Sequence, residues 1–368
     1  MATTNTDERN IAGTPGGPQF HEDLMDRIND ISPEDLPLTD MIAQGSSDAH
    51  YKEFVEEELE AANPDNKLID GQDLTGDDSQ LGQRKGAYHQ ISGKIVQVSD
   101  RARAINAVGT SDELVKQVVK RNRALRRDVE ARLASNNASV PGNGTTTESE
   151  CPGIGGWIGS SGKGNSQRGA TTGADPVLSD TTGAEPGGYP QTAPIAGDLR
   201  AMTEVMLKTA LRQVYNNNGN ARYMMSRPEA IELVSDYMYT SSARIAAMQT
   251  NVSQSNRQGV DGGNGTQGGG ITAQGAVNIY VGNFGSVIFV PNRFQPESSA
   301  GGSDIFILDP SLWEQCFLKR YYMKKLGDTG LSSKRMIAVD YTLIAINERG
   351  NAVIADIDTS TPMVSGLA

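Results

Sequence analysis

Apolar and polar positions alternate along this chain with a period that changes from segment to segment. In HEDLMDRINDI, Leu24, Met25, Ile28 and Ile31 fall at helical spacing and predict a short amphipathic helix over 21–31. It is too short to be stable alone and must dock on something. Pro33 and Pro37 then force an extended path, so 21–42 reads as an arm rather than a domain. The stretch 47–63 places Tyr51, Val55 and Leu59 in a charged background; it fits a helix or a charged strand, and periodicity does not decide. A Gly/Asp-rich loop follows over 70–82, and YHQISGKIVQVS over 88–99 is strand material. Two extended segments around a polar loop predict a long hairpin. Its apolar content is too small for a core of its own, so it leans on a neighbouring chain.

The clearest pattern lies over 111–136. Thr110 and Glu113 fit a capping box, and Leu114, Val115, Val118, Val119, Leu125, Val129 and Leu133 make an apolar stripe. Such a helix spans about 40 Å at the usual rise. Residues 135–197 are rich in Gly, Ser and Thr, with one apolar island, IGGWI, around Trp157; composition predicts a flexible region. Order resumes over 198–215, where Leu199, Met202, Val205, Met206 and Val214 share a helical side and Gly219 is positioned as a left-handed C-cap. ARYMMS predicts a short strand. Pro228 then opens a helix with Ile231, Val234 and Met238 facing in. Past a polar low-complexity stretch at 250–275, VNIYVGNFGSVIFVP predicts paired strands around Asn283-Phe284-Gly285. DIFILDP is a further strand. KRMIAVDYTLIAINERGNAVIADI predicts a long strand, a turn at 348–351 and a returning strand.

Composition adds that the modules are separated. The 368 residues include 41 Gly, with 37% apolar and 5% aromatic side chains. That mixture suits two or three packed units joined by long connections. No apolar run reaches the length of a membrane span, and MATTNTDERN has no signal-peptide core. The net charge of −12 is uneven: residues 1–70 hold 17 Asp and Glu against 4 Lys and Arg, the remainder 28 against 29. This argues against a nucleic-acid binder driven by phosphate neutralisation. The acidic segment is a solvated stretch, a surface that must not stick to DNA, or an arm that seeks a basic partner.

Catalytic patterns fail on context. Gly263-Asn264-Gly265-Thr266-Gln267-Gly268 matches a dinucleotide fingerprint by letters, but no helix pattern follows it. Residues 159–164 hint at a phosphate loop, yet Trp157 stands where its first Gly belongs and Gly164 follows Lys163. Neither a serine-hydrolase elbow nor a zincin motif is present. Cys151 and Cys316 read as free thiols, and His21, His50 and His89 share no metal-binding spacing, so no cofactor or metal is expected. The polar side of the long helix carries Arg121, Arg123, Arg126 and Arg127. Asp128 and Glu130 interrupt this face and no aromatics interleave it, so a solvated or subunit-contacting role outweighs nucleic-acid contact. These arginines, with Glu56, Glu57 and Glu58 of the acidic segment, are candidates for electrostatic register between subunits.

The order of the pieces resembles the major capsid proteins of tailed phages with the Hong Kong 97 fold, over roughly 21–358. DLMDRINDISPEDLPLTDMI looks like the family's N-terminal arm, AYHQISGKIVQVSDRARAINA like the return strand of its extended loop, and KRNRALRRDVEARLASNNASV like its spine helix. GGWI, VGNFGSVIFVPNRF and DIFILDP are similar to later segments. MKKLGDTGLSSKRMIAVDYTLIAINERGNAVIADI, the most specific match, resembles the family's C-terminal end, although Asp340 stands where Glu is usual.

The resemblance implies an α+β fold with an N-terminal arm (1–35), an extended loop (36–105), a spine helix of a peripheral domain (106–140) and a flexible segment (141–197). An axial domain (198–303) and the peripheral return strands with a C-terminal tail (304–368) complete it. It implies a shell subunit of hexamers and pentamers in an icosahedral head, not an enzyme. The partners it implies are further copies of the chain, a portal protein, a separate scaffolding protein, a decoration protein and packaged DNA held non-specifically on the inner face, with no membrane. The location it implies is the virion, reached through the host cytoplasm. No position matches a Lys–Asn cross-link. An encapsulin-like nanocompartment shell, enclosing protein cargo, is the alternative within the fold; an enzyme on another α+β fold would require a pocket of converging titratable groups.

Overall fold

The computed structural model describes residues 32–71, 82–105, 112–160, 162, 165–169, 172–179, 187–240, 278–299, 301–327 and 330–364. The helix expected over 21–31, Thr110 and the stretch 250–275 lie outside them. In chain order the elements are α1 (Pro37–Met41), β1 (Ala43–Ser46), β2 (Tyr51–Glu56), β3 (Gln83–Tyr88), β4 (Gln90–Ser99), α2 (Asp100–Ala104), α3 (Glu113–Leu133), α4 (Ile154–Trp157), β5 (Ser166–Gln167), β6 (Val177–Leu178), β7 (Pro190–Thr192), α5 (Glu204–Asn216), β8 (Tyr223–Ser226), α6 (Pro228–Thr240), β9 (Ile279–Gly282), β10 (Gly285–Pro291), β11 (Gly302–Leu308), β12 (Trp313–Lys325), β13 (Ser332–Ala345) and β14 (Ala352–Asp358). Short 3₁₀ turns at Pro310–Leu312 and Glu348–Gly350 precede β12 and β14.

Two units emerge from the contacts. The smaller comprises 1–34, 94–123 and 323–337, the larger 35–93, 124–322 and 338–368. In the smaller unit Val96, Val98 and Leu114 form a compact core with Ala102 and Val118 against it. Ser99 caps α2 through Ala102 N. Asp112 caps α3, its Oδ1 accepting Leu114 N at 2.9 Å, so the long helix begins at Glu113. Val115 and Val119, counted in its apolar stripe, are instead exposed, while Leu114, Leu125, Val129 and Leu133 are buried. A stripe drawn wide around a long helix overcounts when the helix packs along a narrower line.

The larger unit holds a six-stranded sheet in the order β5-β14-β11-β8-β10-β9. Its core gathers Leu207, Ala210, Leu211 and Val214 of α5 and Ala230 and Val234 of α6 against Met224, Tyr280, Val287, Phe289, Ile305, Ile307, Ile354 and Ile357. The α5 face therefore differs from expectation: Leu199 and Val205 are exposed, and the helix starts only at Glu204, capped by Thr203 through Met206 N. Its C-terminus also differs. Asn218, not Gly219, takes the left-handed backbone at φ 60°, and Gly219 N closes the turn on Val214 O. Gly219 is needed for space: a Cβ there would lie 2.1 Å from Gly350 O.

The hairpin is formed by β2 and β3, paired antiparallel with Tyr51 opposite Tyr88 and Glu56 opposite Gln83. The ambiguous 47–63 stretch is thus strand over Tyr51–Glu56, and its partner is 83–88, earlier than the 88–99 run read from sequence. β4 instead joins a second sheet, β1-β12-β13-β4. The returning strand β14 leaves β13 for the other sheet, where Ile305 pairs with Ile354 and Val353 with Ser166. Between two neighbours it is buried on both faces, in keeping with its apolar Ala352, Val353, Ile354, Ala355 and Ile357. β12, whose WEQCFLKRYYMKK is apolar first and basic later, has no clean strand signature in sequence.

The Gly-rich island is the largest departure from composition. Residues 151–160 are all buried. The glycines serve close packing: a Cβ on Gly153 would meet Ser135 O at 2.1 Å, and one on Gly156 would meet Asn137 O at 2.3 Å. Trp157, fully buried beside them, donates its indole N–H to Leu343 O at 3.0 Å. Cys151 and Cys316 are free and buried, and burial pushes the Cys151 thiol up to about 11.

Candidate assembly surfaces

The arginines of α3 fall into different settings. Arg121 and Arg123 are exposed, and Arg123 pairs with Glu34 at 2.5 Å within the smaller unit. In the larger unit the Arg126 guanidinium lies 5.3 Å from the Tyr321 ring centroid, and Arg127 lies 5.1 Å from that of Phe294. Aromatics do accompany this helix, supplied by distant segments that adjacency in sequence does not show.

The acidic candidates meet cations of their own chain. Lys85, on β3, is almost fully buried and pairs with Glu56 on the same hairpin. Arg349, in the 3₁₀ turn before β14, reaches Glu58 at 2.6 Å and Glu56 at 3.9 Å. Glu57 is exposed. Arg349 was not singled out from sequence; it sits 291 residues from Glu58, and no local pattern marks it.

Glu130 was read only as a break in the basic face. It is fully buried and forms a hub: its carboxylate accepts Leu38 N at 2.8 Å, Thr39 N at 2.9 Å, Thr39 Oγ1 at 2.5 Å and Asn292 Nδ2 at 2.8 Å. The arm's first helix α1, whose Pro37 occupies the first turn, is thereby fastened to α3. A carboxylate on an otherwise basic helix was the available signal.

Several large apolar side chains are exposed. Beyond β2, Leu59 is 94% exposed and Ile69 79%; on the β9–β10 hairpin, Val281 is 77% exposed, with Phe284 packed on Tyr215 at 5.3 Å between ring centroids. No group of three or more metal-ligating side chains occurs among the described residues. Nor is any described helix long and apolar enough to cross a membrane.

Solved structures that this chain resembles include phage capsids. The capsid of cyanophage P-SCSP1u superposes with a TM-score of 0.53 at 13% identity, covering 97% of this chain and 99% of that one. A chain of Mycobacterium phage Che8 gives 0.51 at 10%, covering 93% and 98%. The capsid of a native GTA particle gives 0.51 at 9%, covering 95% and 99%. The fold is the Hong Kong 97-like α+β fold of phage capsids. No curated protein matches in sequence. The family model of the SU10 major capsid protein matches residues 2–358, and the chain belongs to that family. It is therefore a structural shell subunit that self-assembles, and its place is the virion.

Proposed function

We propose that this subunit forms hexamers and pentamers that close an icosahedral head around double-stranded DNA, a structural role and not a catalytic one. The observation that carries this is the exposed apolar side chains of the larger unit, Leu59 and Ile69 between β2 and β3 and Val281 on β9. Exposed apolar groups on projecting segments gain free energy when neighbouring copies cover them. In this reading the β9–β10 turn and α5 face the centre of each ring, and the segment beyond β2 overlies the adjacent subunit. The GTA capsid was computed with C5 symmetry, which supports fivefold rings of a chain with this fold. Arg121, Arg123, Arg126, Arg127, Glu56, Glu57 and Glu58 are the proposed electrostatic contacts.

A portal protein, a separate scaffolding protein, a decoration protein and non-specifically held DNA complete the proposed partners, with assembly in the host cytoplasm. The acidic 1–70 segment supports an inner face along which DNA slides. The test is to express the chain alone and with a co-encoded scaffold, then image it by negative-stain electron microscopy beside sedimentation. Closed shells, tubes or free rings of five and six are expected. A stable monomer under both conditions rejects the proposal, and co-purified protein cargo without DNA selects the nanocompartment alternative.

A further inference from the structure

Asn143-Gly144 and Asn218-Gly219 are the same dipeptide held in opposite ways. A third Asn-Gly pair, at 264–265, lies outside the described residues. In such a pair the glycine N–H is a nucleophile that no side chain shields, and rotations within the asparagine alone bring it to the carboxamide carbon. Both described asparagines are exposed, so burial does not separate them. Hydrogen bonding does. Gly219 N donates to Val214 O at 2.9 Å, in the turn that closes α5. Gly144 N has no acceptor among the described residues.

The Asn143 carboxamide is gripped by its own loop. Its Oδ1 accepts Thr145 N at 3.0 Å, Thr146 N at 2.8 Å and Thr147 N at 2.8 Å, with Thr145 Oγ1 at 3.3 Å. Three backbone donors on one atom identify it as the oxygen. Its Nδ2 donates to Thr146 Oγ1 at 2.8 Å. Around this side chain the loop is closed: Asn143 N donates to Thr147 O at 3.2 Å, and Val140 and Glu150 exchange backbone bonds of 3.1 and 3.0 Å at its base. Fixed N–H groups around a carboxamide oxygen stabilise the charge that develops there when the carbon is attacked.

We propose that Asn143 is a self-modification site, deamidated in the folded subunit by attack of Gly144 N, while Asn218 is protected by its helix cap. Gly144 N loses its proton to water and bonds to Asn143 Cγ, and the charge falls on Oδ1 among its three N–H donors. The Cγ–Nδ2 bond then breaks, and ammonia leaves with a proton that Thr146 Oγ1 relays from water. A second water opens the five-membered imide at either carbonyl, leaving an aspartyl or an isoaspartyl residue at position 143. Either product adds a negative charge to a loop that already carries Glu148 and Glu150, and the isoaspartyl form lengthens the backbone by one carbon. The change runs one way and needs no enzyme, so it marks the age of a subunit. At Asn218 the same attack first requires the α5 cap to open.

The test follows both positions in one sample. The full chain is held at mildly alkaline pH, which favours the deprotonated glycine amide, both folded and in denaturant. Peptide mapping by mass spectrometry reads amide loss at each position, and chromatography separates aspartyl from isoaspartyl peptides. In the folded chain, Asn143 is expected to lose its amide at least about tenfold faster than Asn218, and the ratio is expected to fall to about two or less in denaturant. Thr146→Val keeps the backbone donor and removes the hydroxyl; it is expected to slow loss at 143 by about threefold and leave 218 unchanged. Equal folded rates at 143 and 218, or slower loss at 143 in the fold than in denaturant, overturns the proposal, because the loop then shields the carboxamide. An unchanged rate in Thr146→Val overturns the hydroxyl's part in the step.

Discussion

Glu130 and Leu38 are joined by a 2.8 Å hydrogen bond from backbone N–H to carboxylate, across 92 residues of chain. The same carboxylate takes Thr39 N, Thr39 Oγ1 and Asn292 Nδ2, so removing it takes the acceptor from four donors at once. Glu130→Ala is expected to cost about 3–5 kcal/mol, the range for breaking a buried charged network, measured by chemical denaturation. Glu130→Gln, which keeps one acceptor oxygen, should cost clearly less. Equal stability of Glu130→Ala and wild type would remove Glu130 as the anchor of α1.

His89 sits at the root of the hairpin, its backbone N–H and its ring Nδ1 both against His50 O. Burial pulls its pKa below the usual 6.5, with the charges of His50 and Lys52 adding to the effect. The unfolded chain then binds a proton that the folded chain refuses, so stability is lost as pH falls from about 6.5 towards the depressed folded value. Denaturation midpoints across that window should show this slope for wild type and lose it in His89→Gln.

Asn218 and Gly219 make a paired test of the α5 C-terminus. Gly219→Ala drives a methyl into the Gly350 carbonyl and should cost about 1–3 kcal/mol in thermal unfolding. Asn218→Gly relieves the left-handed backbone at φ 60° and should be neutral or slightly stabilising.

Arg121 separates folding from assembly. It is exposed on α3, so Arg121→Glu should leave the unfolding midpoint within about 0.5 kcal/mol of wild type while lowering shell yield in sedimentation. Arg123→Glu, which also breaks the pair with Glu34, should alter both. Unchanged yield for Arg121→Glu would remove it from the assembly contacts.

Several elements were legible because their signals are local. Helical spacing gave α3 and α6, Pro228 marked the start of α6, and the Asn283–Gly285 turn marked the β9–β10 hairpin. The family resemblance rested on the order of such segments, which survives when long-range contacts are unknown. Other features depend on partners far apart in the chain. Whether 47–63 is helix or strand was decided by pairing with 83–88, and β14 was drawn from β13 to the other sheet by its fit between β5 and β11. Composition marked 151–160 as loose, yet its glycines are small so that 135–137 can approach. The roles of Glu130 and Arg349 follow from contacts across 92 and 291 residues. A one-dimensional pattern records which side chains prefer burial; which buried side chains meet is decided by packing, and only the tertiary structure contains it.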